Sequence, residues 1–131
     1  MSKSLGVTVD HARFVALLAE HYPDVVADFD ESDRGLIHLA MGALARAAQV
    51  AISNEDKAAV RDHFAFIGGV FRLATPEVRN AVCVSYLEHL GFDGRHGRRV
   101  GTRALLSMQL QEELQGLETY NARLFKGGKP A

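Results

Sequence analysis

The run Val60-Arg61-Asp62-His63-Phe64-Ala65-Phe66-Ile67-Gly68-Gly69-Val70-Phe71-Arg72-Leu73-Ala74-Thr75-Pro76-Glu77 decides the fold. Val60, Phe64, Ile67 and Phe71 recur at spacings of four, three and four, which places them on one face of a helix and excludes the alternation of a half-buried strand. Thr75-Pro76-Glu77 then reads as the start of another helix. It offers a hydroxyl N-cap, a proline at the first helical position, where no amide is missed, and an acid near the positive end of the dipole. A helix over about 55–74 followed at once by a second predicts an antiparallel helical hairpin. Gly68-Gly69 costs about 1 kcal/mol per glycine relative to alanine inside that first helix. The pair therefore calls for close approach of another helix, or else marks a kink.

Downstream, the helix opened by Pro76 carries Val78, Val82, Cys83, Leu87 and Leu90, and Gly91 is placed to supply a left-handed C-cap. The stretch 91–101, with glycines at 91, 94, 97 and 101, reads as a loop. A last helix is expected from about Thr102 to Phe125 through Leu106, Leu110, Leu114, Leu117 and Leu124, with Gln109, Gln111, Glu112 and Glu113 facing away. Residues 126–131 are expected to form a disordered tail. Upstream, about Ser32 to Ile52 is mostly Ala, Leu, Met and Ile around most of the helical wheel, the composition of a central helix. Arg34, His38, Arg46 and Gln49 mark its edge in water, and Ser53 with Asp56 resembles a capping box. Asp10 can cap a first helix bearing Phe14, Val15, Leu17 and Leu18, which Tyr22-Pro23 interrupts. The fold class is thus all-α: one domain over 1–125, a bundle of about five helices, with a HEAT-like stack of helical hairpins as the alternative.

A chain of 131 residues, 47% hydrophobic and 24% charged, is long enough for one core and lacks the composition of a disordered segment. Its formal net charge of −1 provides no global field to attract nucleic acid or an anionic membrane. No apolar run is long enough to span a bilayer, and the amino-terminal stretch lacks the apolar core of a secretory signal, so a cytoplasmic chain is expected. A lone cysteine, Cys83, excludes an internal disulfide and sits in an apolar run, where a buried, inert thiol is expected.

No catalytic motif appears. The six histidines include no H-E-x-x-H pair, no serine lies in a G-x-S-x-G elbow, and the glycine-rich stretch lacks the lysine and spacing of a phosphate loop. No catalytic residue, no metal ligand and no cofactor is therefore assigned. Tyr86 and His89, three residues apart, suggest an acid-base pair only weakly, for want of a third group.

Two charged clusters remain. Asp24, Asp28, Asp30, Glu31 and Asp33 form an acidic stretch, a solvated connection or a surface for a basic partner. Arg95, His96, Arg98, Arg99 and Arg103 form a basic one leading into a helix start, an anion or partner site unless these side chains are solvated or pair with the acids of 24–33. The basic cluster lacks interleaved aromatics, which argues against nucleic acid.

The stretch from Phe64 to Leu90, above all Pro76-Glu77-Val78-Arg79-Asn80-Ala81-Val82-Cys83-Val84-Ser85-Tyr86-Leu87-Glu88, resembles a pattern in poorly characterised all-helical bacterial proteins, some of which look like immunity proteins paired with secreted toxins. The resemblance implies a bacterial protein-binding role and carries over no catalytic residue. The expected function is thus a non-catalytic protein-binding domain, with a toxin as the partner if the resemblance extends to activity. The alternatives are a small-ligand or nucleotide-binding regulator using the arginine cluster and, third, a metal-dependent hydrolase. An apolar stripe left exposed on the last helix would add a homodimer.

Overall fold

Residues 8–27, 29–30 and 35–128 are described by a computed structural model, with side chains up to Tyr120 and for Ala122. The first helix, α1 (His11–His21), starts where Asp10 takes an extended conformation and its carboxylate accepts the Arg13 amide at 2.8 Å. Tyr22-Pro23 ends it, and the single turn α2 (Pro23–Val26) follows with proline at its first position. The central helix, α3 (Ile37–Ser53), begins later than its composition suggests, because Leu36 is still extended and has no capping side chain. Eight of its residues are buried, including Ala40, Met41, Leu44, Ala48 and Ile52, and it touches most of the other elements.

Helix α4 (Lys57–Leu73) is capped by Asp56, which accepts the Ala59 amide at 3.2 Å. The expected Ser53 cap does not form: Ser53 is the last residue of α3, and its hydroxyl accepts from Gln49. Val60, Phe64, Ile67 and Phe71 are all buried, and α4 runs unbroken through Gly68-Gly69, which removes the kink. Thr75 caps α5 (Pro76–Ser85), its hydroxyl accepting from the Val78 amide. Thr75 is also tied to the amino-terminal segment: Val9 donates to the Leu73 carbonyl at 2.7 Å and accepts from the Thr75 amide at 3.0 Å.

Beyond α5 the expectations need correction. The helix stops at Ser85 and passes into a 3-10 turn over Leu87–His89, and Gly91 is not left-handed. Its amide instead donates to the Gln49 side chain at 2.8 Å. The expected loop over 91–101 contains α6 (Arg95–Val100), and α7 (Thr102–Leu105) follows. The reason lies in Gly97. A Cβ there would stand 2.2 Å from the Gly91 carbonyl oxygen and 2.7 Å from that of Phe92, so this glycine lets a helix lie directly on backbone. Gly101, at φ 77°, supplies the left-handed turn that ends α6. The buried Thr102 hydroxyl bridges the carbonyls of Phe92 and Gly97.

The last helix, α8 (Met108–Gly128), starts six residues later than expected because Leu106 is extended; Ser107 accepts the Leu110 amide there. Its backbone continues through 126–128, part of the expected tail, while 129–131 lie outside the described residues. Among the described residues there is no strand beyond the Val9–Ala74 bridge, and the five helices of seven residues or more make an all-α bundle. One apolar core runs from Val9 to Leu114 and takes in residues of α1 to α6 and α8. No helix among the described residues is long and apolar enough to cross a membrane.

Candidate functional site

Of the residues expected to form one basic patch, His96, Arg99 and Arg103 are divided among carboxylates. Arg103 lies between Asp93, which it meets with two bonds of 2.9 and 3.0 Å, and Glu118. Glu55 takes His96 Nδ1 at 2.7 Å and Arg99 at 3.6 Å, while Arg98 donates to the Asp93 carbonyl. The hydrogen bond from His96 lowers the Glu55 pKa, and that from Arg103 lowers the Asp93 pKa and raises its own. These pairs are exposed and individually weak. Arg98 and Arg99 occupy the last turn of α6, the end of a helix that favours cations, and Arg95 is exposed in its first turn.

None of the described partners belongs to the acidic stretch. Asp24 is exposed on α2 and Asp30 is exposed beyond it, while Asp28, Glu31 and Asp33 lie outside the described residues. The other chemical candidates separate as well. Tyr86 is fully buried and His89 exposed, so no acid-base pair forms. Cys83 is half-buried and donates to Glu113 at 3.6 Å; burial, with Glu113 beside it, pushes the thiol up to about 11. Among the described residues no group of three or more His, Cys, Asp or Glu could hold a metal ion.

The concavity that does form lies between α1 and α4. Proline 23 stops α1 so that His21 and Tyr22 project beside Asp62, His63 and Phe66 of α4, around a cavity of about 560 Å³. A second cavity of about 330 Å³ shares His21, Ala65 and Phe66 with the first and continues past Leu17 and Gly69 to Val9 and Leu73. Together they form one groove from Ala59 to Leu73, about 21 Å of helix at 1.5 Å per residue.

Aromatic rings close one end. Tyr22 stacks on His63 at 4.5 Å between centroids and 16° between planes, and Phe66 meets Tyr22 edge-on at 5.3 Å and His21 at 5.2 Å. His63 is 7% exposed and its Nδ1 has no hydrogen-bond partner. Burial holds its imidazole below the usual value, against the opposing pull of Asp62, and burial with the same aspartate raises the Tyr22 hydroxyl. The stacked Tyr22 and His63 rings are therefore neutral at pH 7, with Asp62 at their margin. At the other end stand Arg13 and Arg72, whose guanidiniums have no carboxylate partner among the described residues.

Gly69 lies on the groove, and a Cβ added there would meet nothing within 4 Å. Gly68 is different, since its Cβ would come 3.5 Å from Ser107, an ordinary contact. Close approach within the chain therefore requires neither glycine of the pair, and at Gly69 no neighbouring element packs at all. Charge reading missed this site. The available signal was that Phe66, a large aromatic, falls off the Val60-Phe64-Ile67-Phe71 stripe.

A family model described as "Domain of unknown function (DUF7674)" matches residues 15–122. The chain belongs to this family. No curated protein and no solved structure matches it. The span matched to the DUF7674 domain begins inside α1 and ends inside α8, and it includes all of α4 and the residues that close the aromatic end of the groove.

Proposed function

We propose that this DUF7674 domain is a non-catalytic protein-binding module that lays a partner helix in the α1/α4 groove, and that its role is to neutralise a toxin in a bacterial cytoplasm. The carrying observation is Gly69. A glycine inside a helix costs about 1 kcal/mol, nothing in the described chain packs on it, and it lies in an apolar groove of four helical turns. An approaching helix backbone would offset that cost. Apolar side chains at positions i, i+3 or i+4 and i+7 would meet Leu17, Phe66 and Leu73. Acids at one end of the partner would face Arg13 and Arg72, and a base at the other would face Asp62. The immunity role rests on the resemblance of residues 64–90.

The arginine cluster has less support as a nucleotide site, because Glu55, Asp93 and Glu118 already occupy His96, Arg99 and Arg103.

The test is calorimetric titration of the protein with the product of the adjacent gene, beside Gly69→Leu and Phe66→Glu. Each substitution should weaken the complex by about thirtyfold or more, the loss of an anchor worth about 2 kcal/mol, with helical circular dichroism unchanged. A complex indifferent to both rejects the groove. Growth protection on co-expression should follow, and its failure with every adjacent candidate rejects the immunity role.

A further inference from the structure

Helices α3 and α5 enclose a separate cavity of about 360 Å³, more enclosed than the groove and within the volume range of small-ligand pockets. Its polar lining includes Arg46 and His38 of α3, Ser85 at the end of α5, and His89, which the 3-10 turn brings back to the mouth. Among the described residues no carboxylate lines it. Gly42 and Ala45 keep the α3 wall low, and an Arg46 guanidinium nitrogen lies 3.8 Å from where a Gly42 Cβ would stand, so the arginine folds over the cavity.

Arg46 has no hydrogen-bond or ion-pair partner among the described residues, unlike Arg98, Arg99 and Arg103, and His89 is likewise without one. His38 is held. Its Nδ1 lies 2.6 Å from the buried Ser85 hydroxyl, which fixes the ring and leaves Nε2 as its other polar atom. The remaining side-chain amide, Gln49, is already engaged with Gly91 and Ser53. A fixed imidazole, a second imidazole and an unpaired guanidinium around one space form a set of donors in search of acceptors. A guanidinium fork matches carboxylate or phosphate oxygens with charge-assisted bonds. Donors arriving from two helices and a turn favour a group with three terminal oxygens over one with two, which selects phosphate.

We infer that this cavity binds a small phosphate monoester, with Arg46 as the principal charge and His38, His89 and Ser85 as flanking hydrogen-bonding groups. The site is independent of the α1/α4 groove and of the arginine cluster.

The test is NMR titration of the full chain at constant ionic strength with inorganic phosphate and then glycerol 3-phosphate. The ring resonances of His38 and His89 should move saturably and that of His96 should not. Arg46 is exposed, so Arg46→Gln leaves the fold intact and should weaken binding about tenfold or more, the worth of one charge-assisted bond. Arg98→Gln, on α6, should leave affinity unchanged. Shifts that do not saturate, equal movement of His96, or an Arg46→Gln protein that binds like the parent would each overturn the assignment.

Discussion

At the scale of single residues, the buried polar groups are where the fold is least at ease. His63 is the clearest case, a buried imidazole whose Nδ1 is unpartnered and whose pKa is lowered by desolvation. Its sign is fixed by linkage. As pH falls through the ordinary imidazole range near 6.5, the unfolded chain takes up a proton that the folded protein resists, so stability drops there and goes on dropping until the folded ring also protonates. The slope for one proton is at most about 1.4 kcal/mol per pH unit. His63→Phe keeps a ring against Tyr22 and removes the proton. Urea titrations between pH 7.5 and 5 should therefore give a steeper loss for the parent than for this variant, and parallel curves would mean that His63 titrates alike in both states. Glu55 and Asp93, whose pKa values are lowered, act in the lower carboxylate range and do not confuse the comparison.

At the scale of elements, two glycines of the same chain have opposite consequences. Gly97→Ala drives a Cβ into the carbonyl oxygens of Gly91 and Phe92, which are backbone and cannot swing aside. The expected cost is about 1–3 kcal/mol or more, as for other overpacked sites. Gly69→Ala meets nothing and should stabilise α4 by about 1 kcal/mol through helix propensity. Thermal melts of the two variants should move to opposite sides of the parent; an unshifted Gly97→Ala melt would show that α6 does not rest on that backbone.

The same contrast explains what could be read in advance. Helices α4 and α5 were legible because their signals are local: a 3.6-residue stripe from Val60 to Phe71 and the Thr75-Pro76-Glu77 start. Helix α6 was not, since glycine spacing alone cannot distinguish a glycine that faces water from one pressed onto the carbonyl oxygens of Gly91 and Phe92. The pairing of Glu55 with His96, and of Arg103 with Asp93 and Glu118, depends on tertiary approach for the same reason. The groove was half legible, because Phe66 off the core stripe and the costly Gly68-Gly69 pair are both visible in the sequence, whereas only the packing shows that nothing covers Gly69.

At the scale of the whole molecule, the question is whether the segment built from α6 and α7 folds with the rest. Its visible ties are surface ion pairs, each worth little, which would allow it to melt early. Its buried ties argue otherwise. Phe92 packs 6.1 Å from Phe64 between ring centroids, Val100 and Leu106 are buried, and Thr102 is inaccessible to solvent. These residues join the same core as Val9, Phe14 and Leu44, so exposing them opens a cavity against α4. One shared core predicts one cooperative transition. The chain has no tryptophan, so tyrosine fluorescence reports largely on buried Tyr86 and half-buried Tyr22, while far-UV circular dichroism follows all helices and the His96 ring resonance follows α6. The three should share one urea midpoint. A His96 transition at lower urea would instead make α6 and α7 a separately unfolding unit, held by its ion pairs, whose midpoint would then fall as salt is raised.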